Sequence, residues 1–285
     1  MIRWNVFQLL RKVAPIGLAL CLAFLFTTSA FASPRSAAAQ SALIGPKPFY
    51  LALGDSLAYG YQPNLDFVHG YTDDFYHDLK SHGTKFYANM GCPGETTISM
   101  INGTCSVAIL RKYPYIGSQL NAAVNYLRQH AGQVSPVTLD IGANDVDHDI
   151  NFSTCVINTT TANSDLATMD YNLTHVILPQ LVAAMTVNGH MTGDLIMMNY
   201  YNPFQNHCPN SVPFAETLNQ HLAADASGSA TLVDVYQAFG GSTVPNPNIC
   251  TYTWMCSHYY YLLAIHATST GYQVIANAFE QTVGY

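Results

Sequence analysis

The sequence predicts a three-layer α/β/α domain built around a flavodoxin-like parallel sheet of about five strands. Over residues 46–285, short continuous apolar runs alternate with longer amphipathic runs. Continuous apolar runs are typical of strands covered on both faces, and their alternation with helices favours an open parallel sheet. The 285 residues are 49% hydrophobic and show no internal repeat or second linker, so we expect a single core.

Five apolar runs are predicted to form the sheet. They are Phe49–Gly54, Lys85–Met90, Val137–Ile141, Leu195–Tyr200 and Thr231–Val235. Four amphipathic runs are predicted to be helices, at Ser118–Ala131, Ser164–Val187, Phe214–Ala226 and Thr270–Phe279. In the first of these helices, Leu120, Val124 and Leu127 recur at helical spacing. In open parallel sheets, functional groups collect beyond the carboxyl ends of the strands.

The N-terminus has the pattern of a secretory signal peptide. Arg3, Arg11 and Lys12 precede the apolar stretch Val13–Phe26, and Ala30-Phe31-Ala32 follows as a cleavage site. The apolar stretch is shorter than the ~20 residues that a membrane span needs, so an uncleaved anchor is the weaker alternative. We therefore predict a signal peptide over residues 1–32, a flexible leader over 33–45, one domain over 46–285, and secretion.

The charge of the chain excludes some classes of partner. Cleavage after Ala32 removes three of the ten basic residues and no acidic ones, which takes the formal charge from −7 to −10. Such a surface repels phosphate backbones and anionic lipids, so nucleic-acid binding and stable membrane insertion after cleavage are not expected. We expect a monomer.

The cysteines indicate disulfides rather than a metal site. Six remain after cleavage: Cys92, Cys105, Cys155, Cys208, Cys250 and Cys256. An even number in an exported chain predicts three disulfides, of which several connectivities are possible. Short loops favour Cys92–Cys105 and Cys250–Cys256, which leaves Cys155–Cys208. No CxxC or HExxH motif is present, so no metal is expected.

Four segments carry the chemistry-bearing residues. They are GDSLAYGY at 54–61, NMGCPGETT at 89–97, GAND at 142–145 and IHAT at 265–268. In this order, and on these predicted elements, the segments resemble the GDSL or SGNH hydrolase family, named after a Ser, a Gly, an Asn and a His. The resemblance covers the chain from Gly54 to the last helix, and the G-x-S-x-G elbow of α/β-hydrolases is absent.

The resemblance implies a role for four residues. Ser56 is the expected nucleophile and His266 the base that accepts its proton. The backbone N–H groups of Ser56 and Gly94 and the amide of Asn144 are the expected oxyanion donors. Gly91 competes with Gly94, which we prefer because it precedes the Thr-Thr pair. The non-catalytic alternatives are a helix cap for Ser56, a packing role for His266 and an Asx turn for Asn144.

One family residue is missing. An Asp usually lies two or three positions before the histidine, where this chain has Ala264 and Leu263. Three explanations are open: a main-chain carbonyl within 262–264 orients the imidazole, Asp234 does so from a distance, or the protein is a weakened or catalytically silent binding module.

The expected function is a secreted serine esterase or lipase that acts on small or medium acyl esters through an acyl-enzyme, without a cofactor. The alternative substrate is an O-acetylated carbohydrate. The acidic run from Asp145 to Asp149 lacks the EF-hand pattern, so we expect a solvated loop beside the site.

Overall fold

The computed structural model describes residues 43–105 and 107–285, so the predicted signal peptide lies outside the described residues. Three residues of the predicted leader lie within them. Ile44 and Gly45 donate backbone hydrogen bonds of 2.8 Å to the two carboxylate oxygens of Asp194. The hydrogen-bonded part of the domain therefore begins slightly before residue 46. No helix of the described part of the chain is long and apolar enough to cross a membrane.

Strands and helices alternate along the chain. In the described part, the strands are β1 (Phe49–Gly54), β2 (Phe86–Asn89), β3 (Val134–Asp140), β4 (Ile150–Asn151), β5 (Val156–Ile157), β6 (Thr186–Val187), β7 (His190–Met191), β8 (Leu195–Met198) and β9 (Thr231–Val233). The α-helices there are α1 (Ser56–Tyr59), α2 (Tyr71–Leu79), α3 (Thr97–Asn102), α4 (Gln119–Gln129), α5 (Ala143–Val146), α6 (Thr159–Asn172), α7 (Leu178–Met185), α8 (Val212–Ala226), α9 (Val235–Ala238), α10 (Pro247–Tyr252), α11 (Tyr261–Ala264) and α12 (Ser269–Val283).

The five long strands form one parallel sheet in the order β2-β1-β3-β8-β9. This is the flavodoxin-like order, in which the chain reverses direction across the sheet between β1 and β3. The predicted fold class and the five predicted strands are confirmed. Because β1 and β3 are the central neighbours, the loops that follow them lie at the switch point, where ligands bind in such sheets.

Alternate residues of β1 face two different helix layers. Tyr50 packs edge-on against Phe75 of α2, and Phe49 packs edge-on against Tyr126 of α4. Side chains alternate between the faces of a strand, so α2 and α4 cover opposite faces of the sheet. The ring of Phe279 in α12 also packs on Phe75, which places α12 in the α2 layer.

One predicted helix is interrupted. The run predicted at Ser164–Val187 begins earlier, at Thr159, and consists of α6, a π-helical turn at Leu173–Ile177, and α7. Pro179 lies at the start of α7 and has no N–H to donate to the preceding turn, so the helix changes its hydrogen-bond register there. The last two predicted residues, Thr186 and Val187, form β6 instead.

Candidate active site

The turn after β1 presents Ser56 at the start of a helix. Gly54 has φ 137°, and a methyl group on its Cα would lie 2.0 Å from the Oδ1 atom of Asp140, so only glycine fits there. Asp55 caps α1 by accepting the Leu57 N–H at 2.8 Å. Ser56 is therefore the first residue of α1, and the cap is Asp55 rather than Ser56 itself.

His266 lies against Ser56. Its Nε2 atom is 2.8 Å from Ser56 Oγ, and its Nδ1 atom is 2.8 Å from the main-chain oxygen of Leu263. A carbonyl oxygen only accepts, so Nδ1 must carry the proton of the neutral ring. The lone pair of Nε2 then points at the hydroxyl of Ser56, which is the arrangement needed to remove its proton.

The orienting contact lies on Leu263, within the main-chain segment predicted for it. The side chain of Asp234 instead caps α9 through the Gln237 N–H and accepts a 2.8 Å bond from Asn199. Ala264 has no contact with the ring among the hydrogen bonds of the described residues. Of the three predicted partners, the structure therefore brings only Leu263 to His266.

Main-chain contacts on both sides hold the loop that carries His266. Tyr201 donates its hydroxyl to the Ile265 carbonyl at 2.7 Å, and the Trp254 N–H donates to the His266 carbonyl at 3.1 Å. The Cys250–Cys256 disulfide closes the segment that supplies Trp254. The imidazole also packs against the ring of Tyr61, with 4.6 Å between centroids.

The burial of His266 controls its protonation. Only 8% of the residue is exposed, and desolvation lowers the pKa of His266 to about 4, although the bond to Leu263 acts in the opposite direction. The ring is therefore neutral at pH 7 and able to accept a proton.

Two of the predicted oxyanion donors are main-chain amides that are free to bind a ligand. Within residues 43–105 and 107–285, neither the Ser56 N–H nor the Gly94 N–H has an acceptor. The competing Gly91 N–H donates to Asn89 Oδ1 at 2.9 Å, and Gly91 packs against the backbone of α1. This is the physical reason to prefer Gly94, which has φ 78° and is exposed.

Asn144 is the third predicted donor. Its Nδ2 atom donates to the Glu95 carbonyl at 3.0 Å and lies 3.3 Å from Asp55 Oδ2. The first bond ties Asn144 to the residue after Gly94. The second is long, so a better acceptor can replace it.

Asp145 joins the Gly94 loop to the segment after β3, a role that sequence reasoning missed. It accepts the Thr97 N–H at 2.9 Å and the Thr97 hydroxyl at 2.6 Å. In the GAND motif, only the Asn was assigned a role from sequence. The Asp that follows it in the same short turn could have indicated a carboxylate that binds a neighbouring loop. The expectation of a solvated acidic loop is wrong, because Asp145 and Asp149 are only 8% and 5% exposed.

A second buried network, also missed from sequence, connects the same loops. Gln119 accepts the Gly54 N–H at 2.7 Å and donates to Glu95 Oε2 at 3.0 Å, while Glu95 also accepts from Ser99. Burial raises the pKa of Glu95 to about 6. The sequence has no periodic pattern that could have paired these residues, which are far apart in the chain.

Two carboxyl groups lie beneath Ser56. Asp55 accepts the Tyr200 hydroxyl at 2.9 Å, and Asp140 accepts the Ala58 N–H at 2.8 Å and the Tyr71 hydroxyl at 3.2 Å. Burial raises the pKa of Asp55 to about 6 and raises the pKa of Asp140 well above its usual range, with the nearby Asp55 carboxylate adding to the effect. The bond from Ala58 to Asp140 fixes α1 in its place.

The cysteines pair as the short-loop argument predicts. The bonds are Cys92–Cys105, Cys155–Cys208 and Cys250–Cys256. Two of the three groups of metal-ligand types in the described residues contain these bonded cysteines, which offer no thiolate to a metal. The third group is His148, Asp149 and Asp165, whose ligand atoms lie within 4.8 Å of one another.

Comparisons with known proteins identify a family and similar folds. The GDSL-like lipase/acylhydrolase family matches residues 52–274. No curated protein sequence matches the chain. Axe2, an acetylxylan esterase from Geobacillus stearothermophilus, is similar in structure with a TM-score of 0.55 and 15% identity, over 85% of this chain and 97% of that one. Phospholipase A1 from Streptomyces albidoflavus NA297 gives 0.52 and 15%, over 83% and 99%. At this identity, the two likenesses show a shared fold.

Proposed function

Because the chain belongs to the GDSL-like lipase/acylhydrolase family, we propose that it is a secreted serine ester hydrolase with Ser56 as nucleophile and His266 as base. The observation that carries the proposal is the pair of 2.8 Å contacts of His266, one to Ser56 Oγ and one to the Leu263 carbonyl. Together they leave a lone pair directed at a hydroxyl, which is the minimum that nucleophilic activation requires.

The first step forms an acyl-enzyme. Ser56 Oγ attacks the ester carbonyl carbon while its proton passes to Nε2 of His266. Negative charge develops on the carbonyl oxygen, and the N–H groups of Ser56 and Gly94 and the amide of Asn144 bind it. The tetrahedral intermediate collapses, the C–O bond to the alcohol breaks, and the alcohol leaves with the proton from His266.

The second step reverses these roles. Water enters in place of the alcohol, His266 takes one of its protons, and the hydroxide attacks the acyl carbon. Collapse of the second intermediate returns the proton to Ser56 Oγ and releases the carboxylic acid. In both steps the Leu263 carbonyl keeps the imidazole in one orientation, so a carboxylate is not required to fix the tautomer.

The cavity supports small or medium acyl esters as substrates. It is lined by Ser56 and His266 and, on its apolar side, by Leu57, Ile150, Phe204, Phe214, Leu218 and Ile265. Apolar side chains of this kind suit an acyl chain, while the oxyanion donors hold the carbonyl. Secretion is supported by the N-terminal signal pattern and the disulfides.

The test is hydrolysis of a short chromogenic ester by the wild type and by Ser56→Ala. Loss of the nucleophile should lower kcat/KM by at least about 10³-fold. Ser153→Ala, which removes an exposed hydroxyl from the β4–β5 hairpin, is the matched control and should leave the rate unchanged. Equal, near-background rates for the wild type and Ser56→Ala would favour the alternative of a silent binding module.

A further inference from the structure

Two carboxyl groups, those of Asp55 and Asp147, line the cavity beside Ser56, and the proposed reaction uses neither of them. Asp147 follows α5 directly and lines the cavity together with Ser56 and His266. It is partly exposed, in contrast to the buried Asp145 and Asp149 on either side of it in the chain.

Apart from Ser56, His266 and Asn144, which the proposed reaction uses, the other polar side chains of the cavity are already paired. Asp55 accepts the Leu57 N–H and the Tyr200 hydroxyl, and Tyr201 donates to Ile265. The amide nitrogen of Asn202 donates to Ser211 at 2.8 Å. These groups are satisfied within the protein and gain little by turning toward a substrate.

Asp147 is different. Among the residues that the structure describes, no hydrogen bond or ion pair ends on its carboxylate. Although the residue is partly exposed, its carboxyl group lies in the cavity, where desolvation raises the pKa of Asp147 to about 7, and the carboxylates of Asp55 and Asp145 act in the same direction. Burial raises the pKa of Tyr201, and the charge of Asp147 contributes to that rise. A carboxyl group in such a place is stabilised by a hydrogen-bond donor and destabilised by a further negative charge.

Asp147 lies near the place where the ester group of a substrate is proposed to bind. It lies three residues after Asn144, and residues with this spacing are neighbours on one face of a helical turn. Asn144 is a proposed donor to the ester carbonyl oxygen. A donor that reaches Asp147 therefore lies only a few bonds from the ester group.

We propose that the carboxyl group of Asp147 accepts a hydrogen bond from a free hydroxyl on the alcohol part of the substrate, so that the enzyme prefers esters whose alcohol carries a second, unacylated hydroxyl over esters of simple alcohols. This inference rests on the proposed function and deepens it. A hydroxyl suits both states of the acid, because it donates to the carboxylate and accepts from the protonated form. An ammonium group needs the ionised form alone, and an anionic group is repelled by Asp147, Asp55 and Asp145 together.

The test uses two acetates of nearly equal size. 2-Hydroxyethyl acetate and propyl acetate differ only by a hydroxyl in place of a methyl group. We expect the wild type to prefer the hydroxylated ester about tenfold in kcat/KM, which corresponds to about 1.4 kcal/mol. Asp147→Ala should bring this ratio close to one, while kcat/KM for propyl acetate changes by less than about threefold. Asp147→Asn, which keeps an acceptor oxygen, should keep part of the preference.

Asp234→Asn is the control, because it removes one carboxylate outside the cavity and should keep the full ratio. Thermal unfolding of each variant separates misfolding from a specific effect. An unchanged ratio in a folded Asp147→Ala would overturn the proposal, and so would a stronger preference of the wild type for acetylcholine than for 2-hydroxyethyl acetate. Propyl acetate distinguishes a failure of this inference from a failure of the proposed function. If propyl acetate is hydrolysed in a Ser56-dependent manner, the proposed function stands whatever the ratio of the two acetates shows.

Discussion

Replacing His266 with glutamine removes one titrating group from the site and leaves a side chain that can still donate and accept. The His266 pKa is about 4 in the folded protein, against 6.5 in an exposed histidine. The folded state therefore binds fewer protons than the unfolded state between these values, so the wild type loses stability as the pH falls below 6.5. From the two pKa values, this loss is about 2 kcal/mol between pH 7.5 and pH 5.

The measurement is urea unfolding of the wild type and His266→Gln at both pH values. Carboxyl groups such as Asp55 and Glu95 titrate in both proteins, so the difference between the two curves isolates His266. The wild type should lose about 2 kcal/mol relative to the variant at pH 5. In the wild type, kcat/KM reports the free enzyme, and the acidic limb that belongs to the base should be centred near pH 4. A difference that does not change with pH, together with a limb near pH 6.5, would refute the burial of the imidazole and its bond to Leu263.

Three further predictions follow from single contacts. Gly54→Ala should destabilise the protein by at least about 3 kcal/mol more than Gly83→Ala in urea unfolding. Both glycines have positive φ, but only at Gly54 does a neighbouring atom, from Asp140, occupy the place of the added methyl group. Equal losses of stability would contradict this close approach of Asp140. Asn144→Ala should lower kcat by about 10²-fold with KM nearly unchanged, because the proposed oxyanion donor acts in the transition state. A rise in KM alone would indicate a binding role. Asp234→Asn should keep kcat/KM within about twofold, because asparagine caps α9 equally well. Removal of an orienting carboxylate costs ~10⁴-fold, so a loss of that size would show that Asp234 orients His266 after all.

The sheet was predictable because its strands are short, apolar and covered on both faces. Each predicted strand is within three residues of the observed one at either end, and β1 matches at both ends. The helix α2 was missed, because three aspartates and a histidine lie among its buried residues Tyr71, Phe75 and Leu79. Hydrophobic spacing of i, i+4 and i+8 is present there, but it is too sparse to stand out from a polar loop.

The side chains proposed for the chemistry were predictable because the motifs fix both residue type and order. Ser56 and His266, 210 residues apart in the chain, are in hydrogen-bond contact. For the hydrogen-bond partner of His266 Nδ1, the sequence could indicate only a short main-chain segment. Every residue has a carbonyl oxygen, and the conformation of the backbone decides which of them faces the imidazole. The structure assigns this contact to Leu263.

The remaining groups were not predictable because each of them acts through a partner far away in sequence. Asp145 holds Thr97, Gln119 holds Gly54, and Asp140 occupies the space that a side chain on Gly54 would need. These contacts cross between loops that follow different strands, and no periodicity links them.

The buried acids explain how a site without an orienting aspartate can hold its shape. In this site carboxyl groups bind N–H and O–H donors of the loops rather than the imidazole: Asp55 and Asp140 fix the helix that begins with Ser56, and Asp145 fixes the Gly94 loop. His266, by contrast, is oriented by a neutral carbonyl, which adds no negative charge to stabilise an imidazolium. The pKa of His266 is therefore set by burial and falls, where a buried carboxylate beside it would raise it. In the proposed mechanism, this low pKa has two consequences. The base stays unprotonated in acid, and the proton that His266 would accept from Ser56 is held weakly and passes readily to the leaving alcohol.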